Sequence, residues 1–235
     1  MFGNEFGYLE LPPKLDELFQ SEDVVDASGL VIDYSTTCSR MFEGCHNLTK
    51  APKLPMTTLL PNCYFSMFSE CISLVNAPTL PATILADACY SNMFSNCTSL
   101  TIAPELPATT LALECYFSMF YGCTSLTTAP SVLPATILIE GCYSNMFRGC
   151  TSLTTAPKLP ATNLVGNCYD FMFEYCIKLN NITMLATDIS ASDCLFYWVA
   201  SIASTGTFVK HPDMTSLPTG DSGIPEGWTV KDAIV

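Results

Sequence analysis

Cysteine is the residue of this chain with the most chemistry to offer. Thirteen cysteines occur, against only two histidines, His46 and His211. Twelve of the cysteines keep fixed offsets from a recurring Met-Phe pair. One set precedes the pair: Cys63, Cys89, Cys115, Cys142, Cys168 and Cys194. The other follows it: Cys45, Cys71, Cys97, Cys123, Cys150 and Cys176. Cys38 falls one residue off this register and is left over. Three chemistries compete for the pattern. Structural zinc wants thiolates at short spacing, as in C-x2-C, usually with histidine. Here seven residues intervene between the two cysteines of a unit. Disulfides suit the number, but two positions repeated in every unit would require a bridge repeated in every unit. Reduced thiols buried as small hydrophobes need no partner at all, and the burial argument favours them.

Other chemistry is thinly represented. A hydrolytic triad needs a nucleophile, a base and an orienting group held together. His46 lies in CHNL, where other units carry Thr or Ile, and reads as a surface variant. His211 and Asp213, in VKHPD, form an acid–base pair in principle, but no nucleophile sits beside them in the sequence. Glu105, Glu114 and Glu140 occupy different positions in different units and read as solvated charges. Glycines stand singly, so no phosphate-cradling loop is written. The expectation is no catalytic, metal-binding or cofactor-binding residue, and no enzyme. Three Asn-x-Ser/Thr sequons, at Asn47, Asn96 and Asn181, fall on repeat positions and follow from composition.

The scaffold behind the cysteines is a repeat. Met-Phe begins at Met41, Met67, Met93, Met119, Met146 and Met172, in steps of 26 residues with one of 27. The longer step comes from APSVLPAT at residues 129–136, one residue more than APELPAT at 103–109. A seventh, worn copy puts Trp198 where Met172 would recur. A fixed period of this size marks a solenoid. Within a unit, SLTIAPELP reads as a short extended strand, because Pro104 and Pro107 exclude a helix there. The following ATTLALECYFSMFYGC spaces Leu111, Cys115, Met119 and Cys123 by four, as on one helical face, with Thr109 or Thr110 as a cap. Stacked strands would lie about 4.8 Å apart in a parallel sheet. Like residues would then form ladders. Leu48, Leu74, Leu100, Leu126, Leu153 and Leu179 form one. Leu54, Leu80, Leu106, Leu133, Leu159 and Leu185 form a second, and Phe42, Phe68, Phe94, Phe120, Phe147 and Phe173 a third.

This wording, MFxxCxxLxxAPxLP, resembles the BspA-like leucine-rich repeats, over about residues 36–199. CTSLTTAPxLPATxL also looks like repeats in surface proteins of gut Bacteroidales and related phage. The resemblance implies a leucine-rich-repeat solenoid (α/β repeat), a right-handed coil with short parallel β-strands on one face and short helices or helical turns on the other. Residues 1–40 then form an N-terminal cap with a worn repeat. Residues 41–199 form about six 26-residue repeats, and residues 200–235, rich in Gly, Pro and Asp, form a C-terminal cap. The resemblance further implies a non-enzymatic binding or adhesion module at a cell surface or secreted. The runner-up is a structural component, a phage-tail or surface-layer spacer.

The totals agree with a protein or glycan partner. Charged residues make up only 13%, and the net charge of −13 argues against nucleic acid, which needs a basic footprint. Eight of the acids lie in residues 1–34 with one Lys. No apolar run is long enough for a membrane span, and the first residues do not read as a signal peptide. What varies after the ladder leucine should project from the strand face. Thr49, Lys50, Asn76, Thr101, Thr127, Thr128, Thr154, Thr155 and Asn181 are therefore the candidate binding face.

Overall fold

The structure is a computed structural model that describes residues 24–32 and 38–234. Coils of the repeat stack in parallel. β1 (Val25–Asp26) pairs with β2 (Leu48–Lys50). At the other end β3 (Asn181–Met184), β4 (Thr207–Lys210) and β5 (Thr229–Asp232) form a three-stranded parallel sheet. Between them the strand wall is reduced to single bridges, Lys50↔Asn76↔Ile102↔Thr128 and Thr155↔Asn181. Proline limits the strands: AP and LP in the units from residue 51 to residue 160 remove amide donors from a parallel ladder, and the unit without them carries β3. A second column of bridges, Thr58↔Ile84↔Thr110 and Asn163↔Asp188, follows the prolines.

The remaining wall corrects the expected helices. Among the described residues there is no helix. The segment with apolar spacing of four is a chain of β-turns. Cys89, Ser91, Met93, Ser95 and Cys97 each donate N–H to the carbonyl three residues back, at 3.1–3.2 Å. The alternate residues Ala88, Tyr90, Asn92, Phe94 and Asn96 donate instead to Leu113, Cys115, Phe117, Met119 and Tyr121 of the next coil, at 2.7–3.0 Å. Their own carbonyls close the turns from Ala88 to Phe94, while those of Cys89, Ser91, Met93 and Ser95 accept from the preceding coil. Each N–H from Ala88 to Cys97 is thereby paired.

Left-handed residues make the period four. Ala88, Asn92 and Asn96 have φ of 51°, 56° and 59°. Each is the third residue of its turn, the type II signature, and turns without one alternate between them. Asn, Gly and Ser fill most such positions in the array, as at Ser66, Gly122, Asn145 and Gly149. An α-helix and this turn chain both bring every fourth residue to one face, so apolar spacing alone could not separate them. The left-handed Asn and Gly, recurring at that spacing, were the distinguishing signal.

The ladders fill the interior. The first leucine set, Leu48 to Leu179, is fully buried. The second holds through Leu159, but Leu185 is displaced to a half-buried position and Met184 takes its rung, bridging Leu159. NITMLATD at residues 181–188 is one residue shorter than the equivalent TAPKLPATN at residues 155–163, which shifts the register. The six phenylalanines stack nearly parallel, with ring centroids 5.4–5.7 Å apart from Phe42 to Phe173. A tyrosine ladder from Tyr64 to Tyr169, not foreseen from the sequence, runs beside them at 5.6–6.0 Å. Each buried Leu or Phe contributes about 1.5–3 kcal/mol, and no coil can collect it without its neighbours. Trp198 closes the phenylalanine ladder: it tilts on Phe173, meets Phe208 edge-on, and donates its indole N–H to Gly223 O at 2.9 Å.

The turn chain makes a prediction opposite to the helical one. Asn92→Ile places a β-branched residue at φ 56° and should cost roughly 1–3 kcal/mol. Asn92→Gly should be close to neutral. Thermal denaturation of the two variants checks this; a helix would reverse their order.

Candidate functional site

All thirteen cysteines are free thiols and all are buried. The set that follows Met-Phe has a polar duty. Cys71, Cys97, Cys123, Cys150 and Cys176 each point Sγ at a phenylalanine carbonyl of the preceding coil, from Phe42 O to Phe147 O, at 3.0–3.1 Å. Those carbonyls already accept a turn N–H, so the thiol takes the second lone pair. A thiol is small enough for the ladder and still a weak donor. The other set lines the turn chain beside the tyrosines. Cys38 stays off that set in space as in sequence: its N–H donates to Cys63 O at 2.6 Å, the bond that Tyr64 makes to Cys89 O, so Cys38 stands on the tyrosine rung. Among the described residues, no three His, Cys, Asp or Glu side chains gather as metal ligands would.

Burial sets the chemistry of these thiols. It pushes Cys38, Cys115, Cys123 and Cys168 from an ordinary 9.0 up to about 12, and Cys97, Cys142 and Cys150 well above the usual range. A nucleophilic or redox-sensing cysteine needs the opposite shift.

His211 and Asp213 do meet, with Nδ1 3.7 Å from Oδ2. However, Nδ1 also accepts the backbone N–H of Asp213 at 3.1 Å, the geometry of a turn closure. The surface carboxylates tie coils together: Glu105 accepts from Ser131 N and Oγ, and Asp87 from Leu113 N.

The strand face divides the candidate residues into two columns. Thr49 and Thr127 are structural in part, since their hydroxyls donate to Val25 O and Thr101 O of the preceding coils at 3.0 and 3.1 Å. Thr101 and Thr154 offer the carbonyls that neighbouring amides use. The second column, Lys50, Asn76, Thr128, Thr155 and Asn181, projects from the bridge positions and is exposed. Lys50 is committed to Asp26 at 2.6 Å; that hydrogen bond, with help from Ser28, holds the Asp26 carboxyl down to about 2. Ile102 completes the column and is 53% exposed. The sequence reading passed over it because it is apolar. Beside it lies a shallow groove of about 450 Å³, lined by Asn76, Pro78, Pro81, Ile102, Pro104 and Pro107.

A second exposed column was also missed. Thr57, Thr83, Thr109, Thr136, Thr162 and Thr187 recur without interruption at the corner after the prolines. The signal was a Thr at this place in every unit, preceded by Ala in all but the first, where Met56 stands.

No family model matches the chain, and no curated protein matches it. Among solved structures the chain is similar to a leucine-rich repeat protein from Bacteroides ovatus, at 17% identity and a TM-score of 0.38, over 98% of this chain and 74% of that one.

The thiols give a pH prediction. A raised folded value means that the native state holds the proton more tightly than the unfolded chain. That stability is complete below about pH 9 and is lost as the pH rises towards about 12, by about 1.4 kcal/mol per pH unit for each such group. Melting temperature should be flat from about pH 6 to 8 and fall steeply above about pH 9. Alkylation at pH 8 should label almost no thiol in native protein and thirteen after unfolding.

Proposed function

We propose that this chain is a non-enzymatic binding module of the adhesin kind, at a cell surface or secreted, that holds a protein or glycan on its strand face. The observation that carries the reading is the second column of that face. Asn76, Ile102, Thr128, Thr155 and Asn181 stand one coil apart, exposed, on bridge positions that fix their spacing. Amide and hydroxyl groups in a regular row, beside a proline-lined apolar groove, offer hydrogen bonds at the periodic spacing of an extended ligand. The resemblance to BspA-like repeats supports the surface placement. Residues 200–235 act as a cap, which a repeat array needs to stop end-to-end growth; of the proposed cap at residues 1–40, only 24–32 and 38–40 fall among the described residues. Among the described residues no helix is long and apolar enough to cross a membrane.

One observation favours the runner-up, a structural spacer of the phage-tail or surface-layer kind. The ladders run without a break from Phe42 to Phe173, which makes the array stiff. A spacer would assemble into a defined oligomer through its ends.

The discriminating experiment is a glycan array and a surface pull-down with the full chain, paired with light scattering. A monomer that binds a specific ligand, and loses it at least tenfold in the Thr128→Arg/Thr155→Arg variant with unchanged melting, is the expected outcome. A defined oligomer with no ligand would favour the spacer.

A further inference from the structure

Most left-handed positions of the turn wall carry Asn, Gly or Ser, but three at the C-terminal end carry large aromatics. Phe171, Tyr175 and Tyr197 have φ of 51°, 61° and 48°. A bulky side chain is a true outlier there. Burial does not explain the choice. Tyr175 and Tyr197 are 49% and 43% exposed, and Phe196, beside Tyr197, is 42% exposed. The rings nevertheless form one group. Phe171 meets Phe196 edge-on at 5.3 Å and lies roughly parallel to Tyr197 at 6.1 Å, and Phe196 meets Tyr197 at 4.6 Å.

The fold already lodges one cation in this region. The guanidinium of Arg148 sits over Phe171 at 4.9 Å and over Tyr121 and Tyr175 at 5.9 Å each, while its Nε lies 2.6 Å from the buried Glu174 carboxylate. Ring faces and a carboxylate are the two elements of cation recognition. Arg148 uses Glu174 and the near side of the group. Carboxylates also lie in this part of the wall. Asp170 precedes Phe171; its Oδ1 is buried, Ser144 bonds its side chain, and Asp193 and Arg148 both act on it. Asp193 opens the turn that Phe196 closes, its carbonyl accepting the Phe196 N–H at 3.2 Å. Asp170, Glu174 and Asp193 in these coils make the patch complementary to a basic partner.

We propose that Phe196 and Tyr197, with Asp170 and Asp193, form a docking site for an arginine or lysine side chain presented by a partner polypeptide. The site lies on the turn wall of the last coils and does not depend on the strand-face reading. Tyr and Arg at an exposed, well-packed cluster are also the composition of interface hot spots. Phe171 and Tyr197 occupy left-handed positions, and binding is the use that would offset their strain.

The test titrates the full chain with a fluorescein-labelled tri-arginine peptide at physiological salt, read by anisotropy, against the same peptide with citrulline in place of arginine. Binding of the arginine peptide alone is expected. The key variant is Tyr197→Asn, which installs the residue used at Asn92 and Asn145 and changes no charge. It should melt at or above the parent temperature and bind at least tenfold more weakly; Asp193→Asn should weaken binding severalfold. Equal binding by Tyr197→Asn, equal binding of the citrulline peptide, or no binding to the parent protein would each overturn the proposal.

Discussion

The structure depends on a division of labour among backbone amides in the turn wall. One N–H closes a turn within its coil, and the next reaches a carbonyl of the following coil. This alternation satisfies the backbone without helix or long strand, in a wall where the strands are mostly single bridges. It also fixes the spacing of everything else. Once coils are joined at hydrogen-bond distance, each side chain must tolerate its own copy above and below. Flat phenylalanine and tyrosine rings do so by stacking. Leucine does so by burial.

Cysteine belongs to the same constraint. The position after Phe must be small, buried and able to use the spare lone pair of a turn carbonyl. Cys97 facing Phe68 O meets all three conditions. Serine would carry a costlier hydroxyl, and alanine would leave the lone pair unused. The repetition of the sequence and its cysteine content are thus two results of one stacking geometry, and a chain rich in thiols is left with little thiol chemistry.

Much of this was legible in the sequence, and the failures were specific. The period, the Leu and Phe ladders and the burial of cysteine followed from like residues at equal spacing. The helix did not survive because apolar spacing of four is shared by two backbones, and only φ at Asn92 and its counterparts decides between them. Leu185 was misplaced because counting residues cannot see a one-residue change in coil length absorbed at a corner. In the candidate face, residue counting did not separate the two columns. Thr127 spends its hydroxyl on the neighbouring coil, whereas Thr128 projects. The aromatic group at Phe171 and Tyr197 broke the repeat openly, but its meaning needed the backbone.

The most direct test of the central claim is the scalar coupling that NMR detects across hydrogen bonds in isotope-labelled protein. The turn-chain account requires couplings from Tyr90 N to the Cys115 carbonyl and from Phe94 N to the Met119 carbonyl, with Met93 N coupled to the Tyr90 carbonyl. Couplings from these amides to carbonyls four residues back, and none between coils, would mean a helical wall and would contradict the account.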